Sequence, residues 1–253
     1  MKRPSATIAV SMLSAILMTS PAKLQAAELK ALVGGAMAEI FKELGPQFER
    51  ASGHKLVIFY GTTPNLIKQA TSGEPFDVGV VPVDVMKDGA ARSKFVAGPT
   101  TDIARVGLGV AVRAGAPKPD IRTTEALKQT LLKAQSVAFI PQSAGGSQVL
   151  RLFDRLGISD AMKAKTKPQA APPQIAQAVA AGDAEFGIFL ANVLIAPGVE
   201  LAGPFPAELQ EEVVFTGAVS ANTPQAEAAK ALIDYLQTPG AAAIIEAKGM
   251  QPG

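Results

Sequence analysis

The chain has no cysteine and no tryptophan, only two tyrosines and a single histidine. Without cysteine it can form no disulfide, no thiolate metal site, no iron–sulfur ligation and no cysteine nucleophile. One histidine, His54, excludes a multi-histidine metal centre, so no metal is expected. Neither sign of charge dominates: 24 basic residues face 22 acidic ones, too even a balance for a dedicated nucleic-acid binder. Aromatics are scarce at 5%, yet 48% of residues are hydrophobic, which supports a sizeable core and excludes wholesale disorder. A length of 253 residues suits one or two domains.

The small basic excess is unevenly placed. Lys2, Arg3 and Lys23 lie within the first 26 residues, which hold no acid, so the rest of the chain is slightly negative. Residues 1–26 read as a secretory signal peptide. A basic start precedes the apolar stretch Ile8–Met18, which is 11 residues long against the roughly 20 that a membrane span needs. Pro21 interrupts it, and Leu24-Gln25-Ala26 sets a small residue before a cut after Ala26 or Ala27. No cysteine follows that could carry a lipid, and no second long apolar run appears. The expectation is a free protein in a periplasm.

Beyond the leader, short apolar runs alternate with helical patterns, the signature of a parallel α/β sheet. Residues 29–33, 56–60, 77–81, 136–140 and 186–190 read as strands. Met37, Ile40, Phe41, Leu44 and Phe48 fall at helical spacing on one face. Thr63 before Pro64, Ser147 and Thr123 are expected helix caps or starts, and Pro172-Pro173 opens a helix that Gly182 ends. Two longer β runs, 106–112 and 213–219, bracket the middle α/β unit.

Several chemistries are missing. Gly145-Gly146-Ser147-Gln148 runs into Val149, so there is no nucleophile elbow. Gly107-Leu108-Gly109 lacks a third glycine and sits in a strand run, and no phosphate-binding Gly-x4-Gly-Lys-Ser/Thr occurs. His54 is expected to be a solvated turn residue, and Glu211-Glu212 a solvated surface pair. What is present is a set of small-residue loops between strand ends and helix starts: Gly34 to Met37, Gly61 to Thr63, and Ser143 to Ser147. The first N–H groups of a helix lack internal partners and carry partial positive charge, so an anion can dock there. Three such loops on two α/β units predict one anion cleft at the strand C-terminal ends.

These residues, with the leader, resemble the periplasmic solute-binding proteins of ABC importers, and within them the molybdate-binding family of type 2 periplasmic-binding fold. The resemblance rests on Leu32-Val33-Gly34-Gly35-Ala36-Met37, Phe59-Tyr60-Gly61-Thr62-Thr63, Gly73-Glu74-Pro75-Phe76-Asp77-Val78 and Gly109-Val110-Ala111-Val112-Arg113. Arg155-Leu156-Gly157-Ile158, Ala181 to Ile188 and Lys248-Gly249-Met250 continue it in the same order. It implies an α/β fold of two lobes joined by two hinge strands. Lobe one would be 27–108 plus 216–253 and lobe two 109–215. It further implies a small anionic ligand, an oxyanion such as molybdate or a small organic acid, delivered to inner-membrane permease subunits. The expectation is a monomer with no cofactor, no catalysis and no nucleic-acid partner. Gly35, Ala36, Met37, Thr62, Thr63, Arg105, Ser143, Gly145, Gly146, Ser147 and Phe189 are the expected ligand-facing residues. Two of the family's usual donors are replaced, a serine by Gly35 and a tyrosine by Leu190. Arg105, at the start of a hinge run, would suit a carboxylate in a bidentate pair. The alternatives are a two-lobed sensor or adaptor domain that signals to a protein partner, and an enzyme on the same fold.

Overall fold

A computed structural model describes residues 26–253. The expected export signal, apart from Ala26, lies outside the described residues. In chain order the elements are β1 (Glu28–Gly34), α1 (Ala38–Ser52), β2 (Lys55–Gly61), α2 (Thr63–Thr71), β3 (Val78–Pro82), α3 (Val83–Lys87), α4 (Gly89–Arg92) and β4 (Thr101–Arg113). The chain continues with α5 (Thr124–Lys133), β5 (Val137–Phe139), α6 (Ala144–Leu156), α7 (Ser159–Lys165), β6 (Thr166–Pro168), α8 (Pro172–Ala181) and β7 (Phe186–Leu190). It ends with β8 (Val199–Pro204), β9 (Glu212–Val219), α9 (Ala226–Leu236), α10 (Pro239–Ala247) and β10 (Gln251–Pro252).

Two sheets share one long strand. In the first half, β2, β1 and β3 run parallel, and β9 joins β3 and β4 antiparallel. In the second half, β5 lies parallel to β6 and β7, while β7 and β8 pair antiparallel with β4. β4 pairs with β9 through Gly107 and with β7 from Leu108 onward, so it passes from one half to the other at that point. The Gln210 side chain marks the crossing. Its Oε1 accepts from the Leu108 N–H at 2.7 Å and its Nε2 donates to the Leu108 carbonyl at 2.9 Å. A Cβ on Gly107 would come within 2.8 Å of the Gln210 Cδ, so the glycine there makes room for this contact.

The amphipathic face predicted for the first helix is the one that packs: Ile40, Phe41, Leu44 and Phe48 are buried, with Met37 in the 3-10 turn (Gly35–Met37) before it. Gly53, with φ of 76°, ends α1 in the left-handed conformation that glycine tolerates. In the second half, Phe139 of β5 meets Phe153 of α6 edge to face at 5.8 Å.

Some sequence expectations need correction. His54 is 3% exposed, and its Nδ1 accepts a hydrogen bond from the Ala27 N–H, because the start of β1 closes over the turn after α1. Glu211 is not a freely solvated acid, since Arg151 and Arg155 both bind it, at 2.7 and 3.7 Å. The helix expected to be capped by Ser147 begins earlier. Ser143 is its N-cap, accepting from the Gly146 N–H at 2.9 Å. Thr62, not Thr63, occupies the N-cap position of α2.

Candidate ligand-binding cleft

The parallel strands of both halves end on one side of the molecule, where chain reversals leave a crevice. Gly35 and Ala36 follow β1, Gly61 to Thr63 follow β2, and Pro82 ends β3. Facing them are Ile140 and Ser143 between β5 and α6, Ala144 and Gly145 at the start of α6, Pro172 at the start of α8, and Phe189 and Leu190 at the end of β7. Val213 and Phe215 of β9 form the back wall. These residues enclose about 30 Å³, room for roughly two water molecules, so the halves are drawn together.

Contacts across the cleft hold that state. The Ala144 N–H, at the start of α6, donates to Thr63 Oγ1 at 3.2 Å. Asn192 Nδ2 donates to the Ala36 carbonyl at 2.8 Å, while Asn192 Oδ1 is buried without a partner among the described residues. Pro172 packs against Gly35, where a Cβ would meet its ring at 3.3 Å.

Of the expected ligand-facing residues, Gly35, Ala36, Thr62, Thr63, Ser143, Gly145 and Phe189 line this cavity. The other four expected residues do not. Met37 is wholly buried in the core of the first half. Gly146 is buried against the Ile140 carbonyl, which a side chain there would run into. Ser147 is exposed, because a helix that starts at Ala144 carries it past the first turn and onto the outer face. Arg105 is not among the lining residues; it sits in β4 opposite Val214 of β9 and Gln251 of β10, with its Nε buried and unpartnered among the described residues.

The donors differ in availability. The Ser143 hydroxyl donates to the Ile140 carbonyl and accepts from Gly146, and Ala144 is engaged by Thr63. The start of α8 leaves no spare N–H in its first three positions, since the Gln174 N–H donates to the Ala171 carbonyl at 3.1 Å. Pro172 and Pro173 have none, and Gln174 Oε1 accepts from both Ala170 and Ala171. The Thr62 side chain makes no cap bond, so its hydroxyl is available to the cavity. Tyr60, just before that loop, has its phenol pKa raised by burial and then by the Glu39 charge. No lining side chain among the described residues is titratable. Sequence reasoning missed Ile140, Val213 and Phe215, which read as strand positions, Pro172, which reads as a helix start, Pro82, and Asn192, whose one signal is an amide just past a buried strand.

A profile of the family described as bacterial extracellular solute-binding protein matches residues 29–251. The chain belongs to that family. This solute-binding protein is 36% identical to a Pseudomonas sp. protein named aconitate isomerase, over 95% of each chain. It is 29% identical to the molybdate-binding protein ModA of Azotobacter vinelandii, over 89% of this chain and 90% of that one. The solved structure of the Azotobacter vinelandii periplasmic molybdate-binding protein superposes with a TM-score of 0.72 at 22% identity, covering 89% of this chain and 99% of that one, and shares its fold. This solute-binding protein thus has the two-lobed α/β periplasmic-binding fold of the ModA-like type.

Proposed function

We propose that this protein is exported by residues 1–26, captures a small organic anion between its lobes and delivers it to the membrane permease of an ABC importer. Lobe one is 27–108 plus 216–253 and lobe two is 109–215, with the sheet crossing of β4 at Gly107 and Leu108 supporting the first boundary. It acts as a monomer in the periplasm, without a cofactor and without catalysis. The observation that carries the reading is the make-up of the cavity. Small-residue loops and the free Thr62 hydroxyl line one wall, while Pro82, Ile140, Pro172, Phe189, Leu190, Val213 and Phe215 cover the rest. A bare oxyanion needs donors on every side, because each unsatisfied oxygen loses its hydration. A carboxylate needs them at one end only and gains by burying its carbon skeleton. The cavity therefore favours an organic acid over molybdate.

A thermal-shift screen of the exported protein against molybdate, tungstate, sulfate and mono-, di- and tricarboxylates tests this. A ligand at about 100 times its Kd adds roughly 2.7 kcal/mol of stability. A shift with carboxylates supports the reading; a shift with oxyanions alone removes the organic-acid part, and no shift with any of them removes the anion-binding reading.

The relative named aconitate isomerase favours a second reading, in which this chain isomerises the acid it binds. Incubating the protein with aconitate and following both isomers by NMR decides it: interconversion above the protein-free rate replaces binding with catalysis.

A further inference from the structure

His54 is a buried titratable side chain for which the cleft has no use. It is the chain's single histidine and is 3% exposed. Several contacts fix it in place. Its backbone N–H donates to Ser52 Oγ at 3.2 Å, and that hydroxyl donates in turn to the Phe48 carbonyl at 2.8 Å. Its ring lies 6.2 Å from the Phe48 ring, centroid to centroid. Its Nδ1 accepts from the Ala27 N–H at 3.1 Å. An imidazole nitrogen that accepts a hydrogen bond is unprotonated, so the ring proton sits on Nε2. A buried, oriented acceptor is thus aimed at one backbone nitrogen, 27 residues earlier in the chain.

That nitrogen lies where the leader ends. Ala26 is exposed, whereas Ala27 is 8% exposed. Ala27 is also tied through its carbonyl, which accepts from the Lys55 N–H at 2.8 Å, just ahead of the first β1–β2 pair, Glu28 with Lys55. The sequence leaves two cuts open, after Ala26 or after Ala27, and the fold treats them differently. A cut after Ala27 removes both bonds and leaves His54 Nδ1 as a buried acceptor without a donor, which is destabilising. A cut after Ala26 keeps both. Water then adds across the Ala26–Ala27 peptide bond: its hydroxyl goes to the Ala26 carbonyl and its hydrogen to the Ala27 nitrogen. At neutral pH the products are a carboxylate and an α-ammonium. One ammonium hydrogen keeps the bond to Nδ1, now charge-assisted and therefore stronger. The others take the side that Ala26 vacates, which is open to water.

We propose that export ends with hydrolysis between Ala26 and Ala27 by a leader peptidase, and that His54 is the binding site for the α-amino group this releases. The proposal rests on the export reading above and deepens it by naming the processing site. Removal of the leader turns a neutral anchor at the start of β1 into a charged one. The strand that ends at the Gly35 loop of the cleft begins at that anchor.

Two measurements test it. The first is the intact mass of the protein released from the periplasm of cells that express the full 253-residue chain. A mass matching residues 27–253 is expected. A start at Glu28, or at any other residue, overturns the proposal and leaves export standing. A chain that stays uncut in the cytoplasm overturns the export reading, and the proposal falls with it. The second is a cycle of thermal melts on chains that start at Ala27 or at Glu28, freed from an N-terminal fusion, each with and without His54→Leu. With His54 in place, loss of Ala27 is expected to lower the melting temperature by about 2–4 °C or more, the shift that a bond of this kind makes in a chain of this size. With His54→Leu the same truncation lowers it less, because the acceptor is already gone. Losses that simply add overturn His54 as the receptor of the amine. If His54→Leu does not fold, the ¹⁵N spectrum of the single imidazole decides: its Nδ1 signal shifts when Ala27 is removed, and an unmoved signal overturns the proposal.

Discussion

The loops before α2 and α6 look alike in sequence, each a run of small and hydroxylated residues at the start of a helix. In the fold they face each other across the cleft with different chemistry. Before α2, Thr62 keeps its hydroxyl free. Before α6, Ser143 is bonded at both its donor and its acceptor, and the next N–H is taken by Thr63 from the opposite half. The loop before α8 goes further, since its prolines have no N–H and the Ala170 and Ala171 N–H groups are taken by Gln174 Oε1. A helix start is thus an anion site only where its own cap and its neighbours leave something over. In this molecule the first half supplies the free hydroxyl, and the second closes over it.

The largest expected effect breaks the covering half. A methyl at position 146 is forced onto the Ile140 carbonyl, with the helix backbone unable to retreat. Gly146→Ala should therefore lose about 1–3 kcal/mol or more of stability, measured by denaturant unfolding. An unchanged unfolding midpoint would show that α6 does not seat on β5 as described.

The next pair of variants separates the two threonines. Thr63→Val removes the acceptor for Ala144, and an N–H left unpaired in the closed state costs about 1–3 kcal/mol. The cleft should open in response, seen as a larger radius of gyration in solution scattering. Thr62→Val should leave unfolding within about 0.5 kcal/mol of wild type. It should instead weaken the bound anion by about 1.5–3 kcal/mol, as expected for a hydrogen bond to a charged acceptor. The reverse pattern would exchange the roles of the two residues.

Smaller effects lie away from the cleft. Glu49 accepts from the Leu56 N–H at 2.8 Å, and that bond, followed by Lys55, holds its carboxyl below the ordinary value of 4.5. A lowered folded-state pKa stabilises above the unfolded value and loses that contribution as pH falls through the folded one. Glu49→Gln should accordingly melt earlier than wild type at neutral pH, with the difference fading below about pH 4.5, in a pH series of thermal melts. Smallest of all, Arg105→Ala should leave anion affinity within about twofold, because a residue with no contact to a ligand contributes within the noise of a surface change. A tens-fold loss in calorimetry would place that guanidinium in the cleft after all.

The strands, the buried face of the first helix and the order of the α/β units follow from hydrophobic periodicity alone, and they were legible. So were seven cavity residues, because glycine and hydroxyl residues between a strand and a helix carry a local signal. What escaped was relational. Nothing local distinguishes Phe215, which lines the cavity, from Phe139, which is core. Ser147 was read as a cap because the true cap, Ser143, sits four residues earlier in the same run of small residues. Arg105 reads as the start of a hinge run, whereas β4 begins at Thr101 and β9 and β10 flank Arg105 within it. Short segments such as α3, α7 and β8 owe their form to neighbours distant in sequence, not to a period of their own.

At the point where β4 changes sheets, Leu108 lies in register with Leu190 of β7, and the Gln210 side chain bonds both its N–H and its carbonyl, the latter also accepting from the Phe205 N–H. A strand ladder resists bending as a row, each bond tied to the next through the backbone. A glutamine arm instead carries several torsions of its own, each with separate resting angles. Twisting of β4 between Gly107 and Leu108 can be taken up in that arm while its amide keeps hold of both backbone groups. The joint is therefore soft in rotation and firm in separation, behaving as a tether with a swivel.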